Sequence, residues 1–179
     1  MPGFVIHIAI GKTYLKKHKN EIKDEDEFFK GILAPDLISL INKDISKSET
    51  HYGKWGNKEF EIYLGEFLKD KNVDMYSDYW KGYFIHLLTD IDFYLKYFKE
   101  ETLELIKNAD TFYYDYDCLN KNLIERYHIN NITDENVTKY MEYVEGNPKY
   151  LREDKVVQFI EYFSETNIEK QIKAIMKEN

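Results

Sequence analysis

Tyr79-Trp80-Lys81-Gly82-Tyr83-Phe84-Ile85-His86-Leu87-Leu88-Thr89-Asp90-Ile91-Asp92-Phe93-Tyr94-Leu95 reads as one amphipathic helix at the centre of the chain. Its apolar positions, Trp80, Tyr83, Phe84, Leu87, Leu88, Ile91 and Leu95, continued by Phe98, recur at three-and-four spacing with no proline among them. At about 100° per residue, His86 and Asp90 stand one turn apart, roughly a quarter-turn from the centre of that apolar face. They border the core rather than open water. An imidazole and a carboxylate at this spacing either ligate one divalent cation or hydrogen-bond each other as a structural pair.

A chain of 179 residues is long enough for one well-buried core, and nothing in it asks for a second domain, so 1–179 reads as one unit. With 16 Tyr and 11 Phe, the core is aromatic and many phenol hydroxyls reach its edge, which favours a tyrosine-lined cleft. A formal net charge of -8 disfavours general nucleic-acid binding and docking on anionic lipid. Cys118 is the only cysteine, so no intramolecular disulfide or cysteine-based zinc site can form, and any metal must use His and carboxylate. The Met1-Pro2-Gly3-Phe4 start lacks the pattern of a secretory signal, and no apolar stretch is long enough to span a membrane, so the expectation is a cytoplasmic, soluble protein.

Outward from the central helix, Pro2 suits a helix first turn, and Phe4, Val5, Ile8, Tyr14 and Leu15 give a buried stripe to about His18. His7 flanks it, with Gly11 one turn later leaving room beside the imidazole. The acidic residues Asp24 to Glu27 open a helix. Pro35 biases Ala34 away from helical geometry, so Asp36 is expected just past a helix end, as a turn-held carboxylate or as the N-cap of the next helix. Residues 42–58 look irregular, and their one residue with metal or acid-base chemistry is His51. Helices are expected over 59–71, 102–106, 111–127, from Thr133 through Val144, and over 155–176. Asp115 and Asp117 could stand behind a cleft, or serve the helix dipole. With no strand alternation, the fold class is all-α, about seven helices in a single compact domain around the central aromatic-rich helix.

His7, Asp36, His51, His86 and Asp90 are each weak signals alone; their order is not. A His soon after a Met-Pro start, then Ala34-Pro35-Asp36, then Thr50-His51, then His86-Leu87-Leu88-Thr89-Asp90, resembles the zinc-dependent phospholipase C family and its small intracellular relatives. That resemblance covers about the first hundred residues. It implies an all-helical fold, shared with single-strand-specific nucleases, and hydrolysis of phosphoric esters at a zinc cluster. Asp36, His51, His86 and Asp90 would ligate one zinc, and Asp90 would bridge to a second that His7 helps hold. Three departures stand out. His7 follows a short leader where secreted members use their mature amino terminus. Lys96 stands where a further ligand histidine is expected, and His128 is followed four residues on by Ile132 rather than Glu. The third zinc of the family therefore lacks its usual ligands here.

Three imidazoles and two carboxylates around two divalent ions leave about +2, enough to hold a phosphate in an acidic protein. The expected chemistry is attack at phosphorus by a metal-bound hydroxide whose parent water has its pKa brought toward ~7. Asp36 is the candidate catalytic residue that orients or deprotonates that water. Zinc is the expected cofactor, one or two ions, with manganese, iron or nickel also accepted by such donors. The substrate would be a small phosphoester or phospholipid-type molecule; tyrosines such as Tyr83, Tyr94 and Tyr114 would either bind or shield its organic part or simply fill the core. The alternatives are a phosphomonoesterase or nuclease-like activity on a soluble substrate, and a non-catalytic helical binding or structural protein whose histidines are core residues. An HD-type phosphohydrolase ranks lower, because the chain has no adjacent His-Asp.

Overall fold

Two helices that cross at glycines set the frame. In the computed structural model, which describes residues 3–56, 59–102, 109–130, 132 and 134–178, α2 (Glu25–Ile41) packs along α5 (Asp78–Ile91) more extensively than any other pair. A Cβ on Gly31 would overlap the carbonyl oxygen of Tyr79, and one on Gly82 that of Phe28, so only hydrogen at both positions lets the backbones meet. The starts of the two helices are tied as well: Asp78 Oδ2 accepts from the backbone N–H groups of Lys23 and Asp24, both at 2.8 Å. Asp24 in turn caps α2, accepting from Glu27 N at 3.0 Å.

Around this pair lie α1 (Phe4–Lys17), the one-turn α3 (Lys47–Thr50), and a hairpin of β1 (Gly53–Gly56) with β2 (Glu59–Ile62), paired antiparallel with Gly53 opposite Ile62. They are followed by α4 (Leu64–Lys69), α6 (Ala109–Arg126), the short α7 (Glu135–Thr138), α8 (Glu153–Phe163) and α9 (Ile168–Glu178). Helix α1 contacts α2, α5, α6 and α8, and every residue from Phe4 to Gly11 is buried. Nine consecutive residues of α5, Gly82 to Asp90, are buried too. A helix covered all round is an inner helix, so α1 and α5 are the two inner elements and polar groups on them are shut from water.

The mostly helical class agrees with expectation, while several boundaries do not. Helix α2 runs through Pro35 to Ile41, so Asp36 sits inside a helix rather than past its end; burial of Pro35 and Ala34 against the core outweighs the local bias. The room expected beside His7 at Gly11 is filled by the side chains of Ile32 and Phe29. Residues 42–58 contain α3, capped by Ser46 and Glu49 in a reciprocal box, and the first strand. The helix expected over 59–71 is a strand followed by α4. Helix α5 passes into a π-helical segment, Asp92–Tyr97. The wider turn shifts the register, so Phe93 and Tyr94 are buried and Leu95 is exposed. The expected 155–176 helix is split around Ser164, and the one begun by Asp134 lasts a single turn. These short pieces raise the helix count above seven. Residues 103–106 of the expected 102–106 helix, together with Met1, Pro2 and Thr133, lie outside the described residues.

Candidate metal centre

All five residues singled out in the sequence meet at one place between α1, α2, α3 and α5, each no more than 5% exposed. His86 comes from the buried middle of α5. Its Nδ1 lies 2.7 Å from Ile32 O on α2. Proline at 35 removes the N–H that would have bonded Gly31 O and crowds that turn, and in the same turn Ile32 O accepts from outside the helix. A carbonyl only accepts, so His86 Nδ1 carries the proton. Burial drives the His86 pKa down to about 3, the neighbouring His7 adding to this against the pull of Asp90 and Asp36. His86 is therefore neutral, and its Nε2 presents a lone pair to the centre.

His51 follows the same plan from another element. It is the C-cap of α3, not an exposed loop residue, with its Nδ1 2.9 Å from Lys47 O and 3.0 Å from Thr50 Oγ1. Tyr83 of α5 donates its hydroxyl to Thr50 O, which pins this turn to the inner helix. Donation to Lys47 O turns His51 Nε2 inward. Its Nε2 lies 3.3 Å from His86 Nε2, 3.2 Å from Asp36 Oδ1 and 3.4 Å from Asp90 Oδ2. His86 Nε2 is 3.8 Å from Asp36 Oδ1 and 3.7 Å from Asp90 Oδ2.

These five separations are five of the six edges of a tetrahedron of donor atoms. A zinc bound at 2.0–2.2 Å to four such atoms requires edges of about 3.4 Å. The observed edges, 3.2 to 3.8 Å, bracket that value, and His51, His86 and Asp90 stand close enough together to hold one cation. His7 stacks on His86, with ring centroids 3.9 Å apart and planes at 7°. Its Nε2 lies 3.4 Å from Asp90 Oδ1, the carboxylate oxygen on the far side from His51. Asp90 thus faces His51 and His86 with one oxygen and His7 with the other.

Electrostatics point the same way. Burial pushes the Asp36 carboxyl up, but the Lys47 ammonium together with His51 and His86 outweighs it and holds it below the usual carboxylate range. Burial likewise pushes Asp90 up, and His86, His7 and His51 overcome it. Both carboxylates are ionised at neutral pH. Among the described residues, Asp36 Oδ1, both oxygens of Asp90 and both ring nitrogens of His7 are buried with no hydrogen-bond partner. Converging buried acceptors without donors are costly unless a cation joins them.

A cavity of about 590 Å³ opens over Asp36 and is lined by Lys43, Lys47, Tyr113, Tyr116, Asp117 and Tyr140, among others. Asp117 therefore reaches a cleft and Asp115 does not. Asp115 is buried under the 149–151 backbone, whose three N–H groups it accepts at 2.6 to 2.9 Å. Of the tyrosines expected at a substrate, Tyr83 holds α3, and Tyr94 points its hydroxyl at Tyr116, 3.4 Å away. Tyr114 packs at Gly146 and does not line the cleft. Lys96, where another ligand was sought, pairs with Asp92, and the carbonyl of His128 accepts from Lys12 at 2.7 Å. Lys47 is the residue sequence reasoning missed; its position one turn before His51 was the available signal.

His51, His86 and Asp90, and likewise His7, Asp36 and His86, are close enough to hold a metal ion. No helix among the described residues is long and apolar enough to cross a membrane. In comparisons with protein-family models, curated proteins and solved structures, nothing matches the chain.

Proposed function

We propose that the chain is a metal-dependent hydrolase of phosphoric esters, with Asp36, His51, His86 and Asp90 holding one divalent cation and His7 with Asp90 helping to hold a second. The observation that carries this is the convergence of His51 and His86 on Asp36 and Asp90 at 3.2 to 3.8 Å in a buried place where Asp36 Oδ1 and both Asp90 oxygens have no hydrogen-bond partner. The order of these residues along the chain, which resembles the zinc-dependent phospholipase C family, supports the same chemistry and an all-helical fold of that kind. When bound, zinc supplies Lewis acidity: it acidifies a water toward neutral and offsets negative charge at phosphorus. Asp36 is the one ligand residue that also lines the cleft, so its carboxylate is placed to orient the water and accept its proton. His86 and His51 keep their inward lone pairs because Ile32 O and Lys47 O hold their other nitrogens. The phenolic walls receive the organic part of the ester and exclude bulk water.

Elemental analysis of purified protein is expected to find one or two equivalents of zinc or another transition metal. The metal should be lost in His86→Ala and Asp36→Ala together with hydrolysis of bis-p-nitrophenyl phosphate. A wild-type protein without metal after reconstitution would sink the proposal. Four protein donors on one ion also describe a closed, structural site, and that observation favours a second reading, a helical binding protein stabilised by metal. It predicts full metal content and no turnover of any diester or monoester.

A further inference from the structure

The mouth of the centre carries a cation of the chain's own. Lys47 is the first residue of α3, and its carbonyl takes both the His51 N–H at 3.0 Å and the His51 Nδ1 at 2.9 Å. Its side chain, 26% exposed, reaches Asp36, with Nζ 3.7 Å from Oδ1. That distance is an ion pair rather than a hydrogen bond. Oδ1 is the same oxygen that faces His51 and His86. Lys43 lines the cleft beside Lys47, so two lysines stand there against Asp36 and Asp117 in a chain of net charge -8.

A divalent ion on Asp36 Oδ1 would loosen that oxygen's hold on an ammonium already 3.7 Å away, because the two cations repel. We infer that Lys47 is the cleft's anion-binding residue: when Asp36 Oδ1 turns to a metal ion, the Lys47 ammonium swings on its flexible stem into the cleft and meets a phosphoryl oxygen. The substrate class that fits is a phosphate monoester with a flat aromatic or apolar organic part. A terminal phosphate carries close to two negative charges at neutral pH, which match an ammonium beside the metal centre better than the single charge of a diester. The rings of Tyr113, Tyr116 and Tyr140 line the same cavity, and they offer faces for the organic part with hydroxyls at their edges. This rests on the metal-binding reading above.

The test is calorimetric titration of metal-loaded wild type, Lys47→Met and Lys47→Arg with inorganic phosphate, phenyl phosphate and methyl phenyl phosphate, with metal content measured on each protein. Methionine keeps the backbone carbonyl that holds His51 and removes only the charge. The expected result is unchanged metal content, with phenyl phosphate and inorganic phosphate at least tenfold weaker in Lys47→Met. The monoanionic diester should be affected much less, and arginine should recover most of the loss. Full metal content with undiminished phenyl phosphate binding, or no binding of it by wild type, overturns this inference alone. So does metal loss in Lys47→Met, which would make the lysine a support of Asp36, and so do equal losses for monoester and diester. A wild type that holds no metal fails the underlying reading, and this inference with it.

Discussion

Two buried carboxylates, Asp90 on α5 and Asp115 on α6, are both fully inaccessible, and they are treated in opposite ways. Asp115 accepts three backbone N–H groups, from Lys149, Tyr150 and Leu151. With Asn120, whose side chain donates to Tyr140 O and Glu142 O, it fastens an irregular stretch to α6. Asp90 accepts from none; it faces His7, His51 and His86 at 3.4 to 3.7 Å. A carboxylate that folds a loop is saturated by the loop, whereas one kept for a ligand is left with its lone pairs converging on other acceptors. Burial and charge alone do not separate the two; the partners do.

The sharpest way to break this contrast is to remove each carboxylate in turn. Asp115→Ala strands three N–H donors and is expected to cost about 3–5 kcal/mol, which at about 2–4 °C per kcal/mol lowers Tm by 10 °C or so. Asp90→Asn in metal-free protein is expected to stay within about 1 kcal/mol of wild type. Zinc reverses the ranking of the two sites. At a free concentration a thousandfold above Kd, it adds about 4 kcal/mol to the wild type, the same to Asp115→Ala, and little to Asp90→Asn. Thermal melts with and without chelator measure all six states. An Asp90→Asn variant as damaged as Asp115→Ala, and blind to zinc in the wild type as well, would make both carboxylates structural.

The same contrast explains what was legible in the chain. The five converging residues could be found because histidines number only five, two of the residues share one helix at a four-residue spacing, and their order along the chain resembles that of a metal-dependent family. Helical class was legible from periodicity. Asp36 inside α2 was not, because the local signal of Pro35 is overruled by packing against α5 that only appears when the helices meet. Lys47 and the 113–140 wall of the cleft were hidden for a similar reason: lysines and tyrosines are common, and their roles come from neighbours distant in sequence. Asp115 was ambiguous from sequence, where a helix-dipole role and a place behind the cleft looked alike; its three backbone donors lie more than thirty residues away.

A smaller perturbation tests whether the crossing of α2 and α5 is what assembles the centre. Gly31→Ala places a methyl 1.9 Å from the Tyr79 carbonyl oxygen, and relief requires the helices to part by about 1 Å or more. The expected cost is about 2–3 kcal/mol of stability, measured by denaturant unfolding. Metal affinity should fall by at least tenfold, because His86 on α5 and Asp36 on α2 are carried apart. The loop held by Asp115 should keep its amide protection in hydrogen exchange. Loss of stability with metal affinity intact would separate the glycine crossing from the site.

The smallest effect is on pH, and its sign follows from the centre alone. With the metal removed, folded His86 titrates near 3 because it is buried, against about 6.5 when unfolded. Its contribution is complete above the unfolded value and is lost as pH falls from about 6.5 toward 3, since the unfolded chain then binds the proton that the folded chain refuses. Asp36 and Asp90, both held below the usual carboxylate range, add losses of the same sign only once pH falls below about 4. Metal-free wild type is therefore expected to lose about 1.4 kcal/mol per pH unit between about 5.5 and 4 from His86 alone. His86→Asn, which still offers an N–H to Ile32 O, should flatten that slope. With zinc bound, the protein should hold its stability down to the pH at which the imidazoles protonate and release the ion, then fall more steeply than the metal-free protein, since protonation and metal loss are one equilibrium. A slope unchanged by His86→Asn would place the acid sensitivity elsewhere in the chain and remove His86 from the group of neutral, inward-facing ligands.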